Sequence, residues 1–168
     1  MPATLPVPIE FRLPQGWQAA PPDEVGAPDV AFVALRPQPD APDAGFTANI
    51  TVDGEFLADG VTLEELADAS VARVESGAEA VRLAGRREIG SPQAPGLTQR
   101  LDVTAFTGGA LRELVQLQVC MTIQDIADPH KRAVIRLVLT ATAAQHDGVL
   151  GDFQEFLRTV RPDTRPVS

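Results

Sequence analysis

Apolar and polar positions alternate along most of this chain, and the alternation predicts its strands. In "GFTANITV", Phe46, Ala48, Ile50 and Val52 point one way while Thr47, Asn49 and Thr51 point the other. Period two with polar partners marks a half-buried antiparallel strand. "VAFVALR" (30–36) is apolar on both faces and predicts a strand within the sheet. "LTQRLDVTAF" sets Leu97, Leu101, Val103 and Ala105 against Thr98, Arg100, Asp102 and Thr104. "LRELVQLQVCMTI" places Val115, Leu117, Val119, Met121 and Ile123 on one face, and "AVIRLVLTATA" does the same for Ile135, Leu137, Leu139 and Ala141. "TGG" (107–109) supplies residues that tolerate positive φ and closes a hairpin. The last three strands then form a meander, with "QDIADPHKR" as the longer second connection. A weaker strand falls near 81–89.

Two stretches switch to helical spacing. "VTLEELADASVARVES" opens on Thr62 with Glu65 three residues later, a capping-box pattern. Its stripe is Leu63, Leu66, Ala67, Val71 and Val74, and Gly77 ends it. "DGVLGDFQEFLRTV" predicts a second helix with Asp147 as N-cap, a stripe of Leu150, Phe153, Leu157 and Val160, and Pro162 as the stop. Strands grouped in runs, rather than in strict β-α alternation, predict an α+β fold with a mostly antiparallel sheet of six to seven strands. Its two main helices bury their stripes on the sheet. No repeat of 20–50 residues recurs. The proline-rich ends predict a flexible segment over 1–8, one domain over 9–163 and a tail over 164–168, and "RPQPDAPDAG" (36–45) reads as a surface loop.

Composition narrows function mainly by exclusion. The 168 residues carry 23 acidic against 14 basic side chains, a net charge of -9. That argues against nucleic acid and anionic membrane surfaces, which require clustered cations. Lys131 is the one lysine, a bias towards arginine that fits a GC-rich bacterial genome. A single cysteine, Cys120, excludes an intramolecular disulfide. "MPATLPVPIE" has neither a basic n-region nor a long apolar run. The expectation is a cytoplasmic protein without membrane insertion, provided no leader precedes this sequence.

"FRLPQGWQ" holds the one tryptophan, Trp17, just after a corner made by Pro14 and Gly16. This strand and corner, the helix after Thr62, the long meander and a closing helix ending "FLRTVRPD" together resemble PsbP/Mog1-like domains, including LpqN-type lipoproteins and DcrB-like proteins. The resemblance covers roughly Ile9 to Asp163 and implies an α/β/α sandwich. Relatives serve as photosystem accessory subunits, small-GTPase binders, envelope lipoproteins and chaperones for secreted effectors. The function implied is therefore a non-catalytic binding or accessory protein, adaptor- or chaperone-like, meeting an unidentified protein partner as a monomer or weak homodimer. The chain lacks the lipoproteins' lipidated cysteine. Trp17, with Pro14 and Gly16, is expected to anchor the first strand near Phe153 or Phe156.

Candidate chemistry is sparse. "DIADPHKR" gathers Asp125, Asp128, His130, Lys131 and Arg132, yet it lacks a strong metal-ligand spacing such as H-E-x-x-H. It suits a solvated loop that contacts a partner through Asp128, His130 and Lys131. There is no G-x-S-x-G elbow, and His130 and His146 flank opposite ends of the last strand. Cys120, mid-strand, reads as a small sheet residue. Glu64, Glu65 and Asp68 read as a solvated helix face, and no phosphate-cradling glycine pattern appears. The expectation is no catalytic residue, no metal and no cofactor. The less apolar meander face, with Arg100, Arg112, Gln116, Gln118 and Arg136, is expected to form a partly open groove for the partner. The rival is a small-ligand or lipid-binding module with a pocket between helix and sheet.

Overall fold

The computed structural model describes residues 5–6, 9–25, 30–37, 46–92, 94–107, 109–124 and 132–162. Seven strands form one sheet in the order β2-β3-β4-β8-β7-β6-β5. They are β2 (Gln18–Ala20), β3 (Phe32–Arg36), β4 (Ala48–Phe56), β5 (Ala80–Gly90), β6 (Pro95–Thr107), β7 (Ala110–Gln124) and β8 (Arg132–Thr142). Every neighbouring pair is antiparallel. A separate two-stranded ladder joins β1 (Ile9–Glu10) to β9 (Arg161–Pro162). Helices α1 (Leu63–Gly77) and α2 (Ala143–Thr159) complete the α+β fold.

Strand alternation decides where the helices sit. Leu117 lies opposite Leu139, and Val119 opposite Leu137, so the odd-numbered residues of β7 and β8 share one face. That face packs under α2 through Val149, Phe153 and Phe156, with Ile50 and Val52 of β4 in the same cluster. On β6, Leu101 lies opposite Gln116 and Val103 opposite Leu114, which puts them on the other face. There Val71 and Val74 of α1 close over Leu101, Val103 and Leu114. α1 thus covers β5 and β6 on one side, while α2 covers β4, β7 and β8 on the other. Fully burying each such aliphatic or aromatic side chain contributes about 1.5–3 kcal/mol. The two staggered layers make an α/β/α sandwich.

α1 begins as its sequence predicts. Glu65 donates its backbone N–H to the Thr62 hydroxyl, and the Glu65 carboxylate accepts from the Thr62 backbone N–H. α2 departs from expectation, because its N-cap is Thr142 and Asp147 lies inside the helix. The Thr142 hydroxyl accepts from the Gln145 N–H at 3.1 Å, and the Gln145 side chain accepts in return from the Thr142 N–H at 3.0 Å. A reciprocal cap satisfies two orphan donors, so the helix starts directly at the end of β8. The 3-10 turn Pro22–Val25 and the β1–β9 ladder were not expected from pattern.

At the "LPQGW" corner, Trp17 donates its backbone N–H to the Pro14 carbonyl at 3.3 Å. Gly16 adopts φ +92°, which strongly favours glycine. The Trp17 ring is buried in the cluster that holds Phe153 and Phe156. Phe11, just before the corner, meets Phe32 and Phe156 edge-on, with centroids 4.9 and 5.2 Å apart.

Candidate functional site

The polar meander face is closed from within rather than open. Gln99 and Gln118 are cross-strand partners and both are buried. The Gln99 amide donates to the Gln118 side-chain oxygen at 2.7 Å and to the Ala67 carbonyl of α1 at 3.1 Å. Gln118 donates on to Gln116, and Gln116 to the Thr140 hydroxyl at 3.2 Å. Arg86 joins from β5, donating to Gln99 at 2.9 Å and to Asp68 of α1 at 2.7 Å. Buried polar groups need partners, and this ladder supplies them across four strands and a helix.

Arg136 belongs to the same face. Its guanidinium donates to Asp53 at 3.2 Å and to Glu55 at 3.2 Å, and it is largely buried. Burial alone would lower its pKa; the two carboxylates outweigh that and hold it above the ordinary arginine value. Cys120, opposite Arg136 on β7, is buried, and burial pushes its thiol up, away from nucleophilic chemistry.

The expected groove set is therefore divided. Gln116, Gln118 and Arg136 are committed to internal hydrogen bonds, and Arg112 donates to the Thr107 carbonyl at 3.1 Å within its own hairpin. Arg100, opposite Leu117, points to the α2 side of the sheet. Asp128, His130 and Lys131 lie outside the described residues. His146 is on α2, buried in its first turn. Among the described residues no three His, Cys, Asp or Glu side chains gather to hold a metal ion.

On the α2 side, the β5–β6 half of the sheet is exposed. Arg82 and Arg100 share one carboxylate there: Asp102 accepts from Arg82 at 2.7 Å and from Arg100 at 3.1 Å. The Arg82 hydrogen bond, helped by Arg100, holds the Asp102 carboxyl below its usual range against the opposing effect of burial. Arg82, Arg100, Asp102 and Glu113 line a depression of about 420 Å³. Beyond it the β6–β7 hairpin runs on alone. β5 stops opposite Thr104 and β8 opposite Leu114, whereas the hairpin continues through Ala105–Arg112, Phe106–Leu111 and Thr107–Ala110. Phe106 and Leu111 are 68% and 54% exposed.

A second concavity of about 660 Å³ opens beneath the first turn of α1. Its apolar walls are Leu57, Val61, Leu63, Ile89 and Leu97, with Glu64, Glu88 and Arg132 also lining it. The sequence suggested a pocket between helix and sheet and named Arg100, but where either concavity lies depends on which parts of the sheet the helices leave bare.

No family model matches the chain, and no curated protein matches it by sequence. Solved structures do match, and the class they define is an antiparallel α+β sandwich. LpqN, involved in cell envelope biogenesis of Mycobacterium tuberculosis, aligns with a TM-score of 0.62 at 13% identity, covering 92% of this chain and 83% of that one. Cyanobacterial PsbP from Synechocystis sp. PCC 6803 aligns at 0.59 and 18% identity, covering 92% and 86%. The Saccharomyces cerevisiae Ran-binding protein Mog1p aligns at 0.52 and 16% identity, covering 92% and 89%. The chain has the Mog1/PsbP-like fold. No helix among the described residues is long and apolar enough to cross a membrane.

Proposed function

We propose that this protein is a non-catalytic accessory protein that engages a protein partner through the bare β5–β6 half of its sheet and the hairpin extending from it. The observation that carries the reading is the Phe106–Leu111 pair, set side by side at the tip of a projecting hairpin. Scattered exposed apolar residues are ordinary, whereas adjacent large ones on a projection mark an interaction surface. Arg100 and Arg82 supply polar contacts beside it. The yeast protein of this fold is a Ran-binding protein, which supports a partner of protein class. An adaptor- or chaperone-like task in the cytoplasm belongs to the same proposal.

The test is affinity capture from native lysate with wild type and a Phe106→Asp/Leu111→Asp variant, followed by mass spectrometry of proteins and small molecules. A protein recovered at stoichiometric yield with wild type and lost with the variant supports the reading. No protein partner, alongside a stoichiometric metabolite or lipid, sinks it. That second outcome favours the α1 cleft, whose aliphatic walls suit a small apolar ligand.

A further inference from the structure

Three arginines meet where the two ends of the described chain are tied together. The β1–β9 ladder sets Glu10 opposite Arg161. Two residues earlier, the Thr159 hydroxyl accepts from the Arg12 backbone N–H at 2.9 Å and lies 2.7 Å from the Phe156 carbonyl, to which it donates. These links fix the backbone at Arg12 and Arg161 against the end of α2. Around the junction, Glu10, Phe11, Arg12, Arg158, Thr159 and Arg161 line a depression of about 460 Å³.

The charges there do not balance. Arg161 is paired with Glu10. The side chains of Arg12 and Arg158 have no hydrogen-bond or ion-pair partner among the described residues. Among the described residues, three guanidinium groups against one carboxylate line the depression, in a chain whose net charge is -9. A cation in the last turn of a helix is favoured by the helix dipole, which accounts for Arg158. It does not account for Arg12, which follows β1 in the chain and lines the same depression.

We propose that this depression binds a phosphate-class oxyanion, held chiefly by Arg12 and Arg158 with Arg161 at its side. A guanidinium is a planar fork matched to the oxygens of phosphate or carboxylate. Two unpaired forks present more donors than one carboxylate accepts in ordinary geometry, whereas a phosphate monoester offers three strong acceptor oxygens. The depression exceeds the volume of a single phosphate group and leaves room for the rest of the ligand. Phe11 forms part of its lining and is held through its edge-on contacts with Phe32 and Phe156. This site lies on different elements from the β6–β7 hairpin and stands or falls separately from the partner reading.

The source of the phosphate, a free phosphorylated molecule or a lipid headgroup, is separated by two arms of one experiment on the full chain. Calorimetry at low salt uses inorganic tripolyphosphate, with citrate as the carboxylate control; co-sedimentation uses vesicles of phosphatidic acid, a phosphate monoester lipid, in phosphatidylcholine. Arg12→Gln/Arg158→Gln removes the proposed donors, and Arg73→Gln/Arg87→Gln removes equal charge elsewhere. The expected result is one tripolyphosphate per chain, weakened about tenfold or more by the first pair and little by the second. Without ligand both variants should stay folded, with only the small loss of melting temperature that the helix-dipole contribution of Arg158 implies. Vesicle binding with the same dependence on Arg12 and Arg158, without tripolyphosphate binding, assigns the phosphate to a lipid headgroup. Equal weakening by both variants, citrate binding as tight as tripolyphosphate, or binding in neither arm overturns the proposal.

Discussion

The indole N–H of Trp17 donates to the Asp152 carboxylate at 3.0 Å, linking the first corner of the chain to the last helix. The same carboxylate oxygen lies 3.3 Å from Nε of Arg36 on β3, so three distant segments converge on Asp152. The ring is 6% exposed within the main core cluster. Trp17→Ala should cost about 3–5 kcal/mol, as expected for emptying a large aromatic site. Asp152→Ala, which strands a largely buried indole donor, should cost about 1–3 kcal/mol. Urea unfolding followed by far-UV circular dichroism measures both, since the only tryptophan is lost in one of them. A Trp17→Ala midpoint equal to wild type would return the residue to the surface as a binding platform.

The glutamine ladder predicts a non-additive pair. Gln99→Leu leaves the Gln118 oxygen and the Ala67 carbonyl without their donor, which should cost about 1–3 kcal/mol. Gln118→Leu does the converse to Gln99. The double variant removes both partners of the central bond and should be less destabilised than the sum of the single changes. A double-mutant cycle on chemical denaturation checks this. Strict additivity would mean that the two amides do not act as one network.

How far the sequence could be read follows from which signals are local. Alternation within β6, β7 and β8 is local, as is the Thr62–Glu65 box of α1, and both lead directly to the observed elements. The start of α2 was equally local, since Thr142 and Gln145 spell the same box in "TAAQ". It was hidden because the strand pattern of β8 runs on through Ala141 up to the cap. Arg100 could not be placed this way. Alternation says which residues of one strand share a face, but only the register Leu101–Gln116 says that Arg100 faces away from Gln116 and Gln118. The cluster of Arg12, Arg158 and Arg161 unites the two ends of the chain through strands of two residues, too short to carry any period.

Asp102 gives the sheet face a pH signature. Its native pKa lies below the unfolded value, so its ion pairs stabilise the fold above the unfolded carboxylate range. That contribution fades as pH falls through the native value, where the carboxylate takes up a proton. Asp102→Asn should therefore be less stable than wild type near neutrality, and the gap should close in acid. The effect is small, because the pairs are partly solvated and Arg82 is well exposed. Melting temperatures of both proteins from neutral pH down to about pH 3 test it; a gap that widens in acid would contradict the assignment.

Arg136 is the most deeply buried charged side chain among the described residues of the sheet. Its side chain is 10% exposed, with Asp53 at 21% and Glu55 at 50%. Arg136→Met leaves Asp53 facing a poorly solvated surface without its cation and should cost about 3–5 kcal/mol. Glu55 is exposed enough to turn to water and should add little. Replacing both members, as in Arg136→Met/Asp53→Leu, removes the stranded charge along with the pair and should recover much of the loss, because a buried ion pair is often no better than apolar residues of similar size. Equilibrium unfolding of the single and double variants decides the matter. A double variant as unstable as Arg136→Met would show that the guanidinium is needed for more than pairing with Asp53.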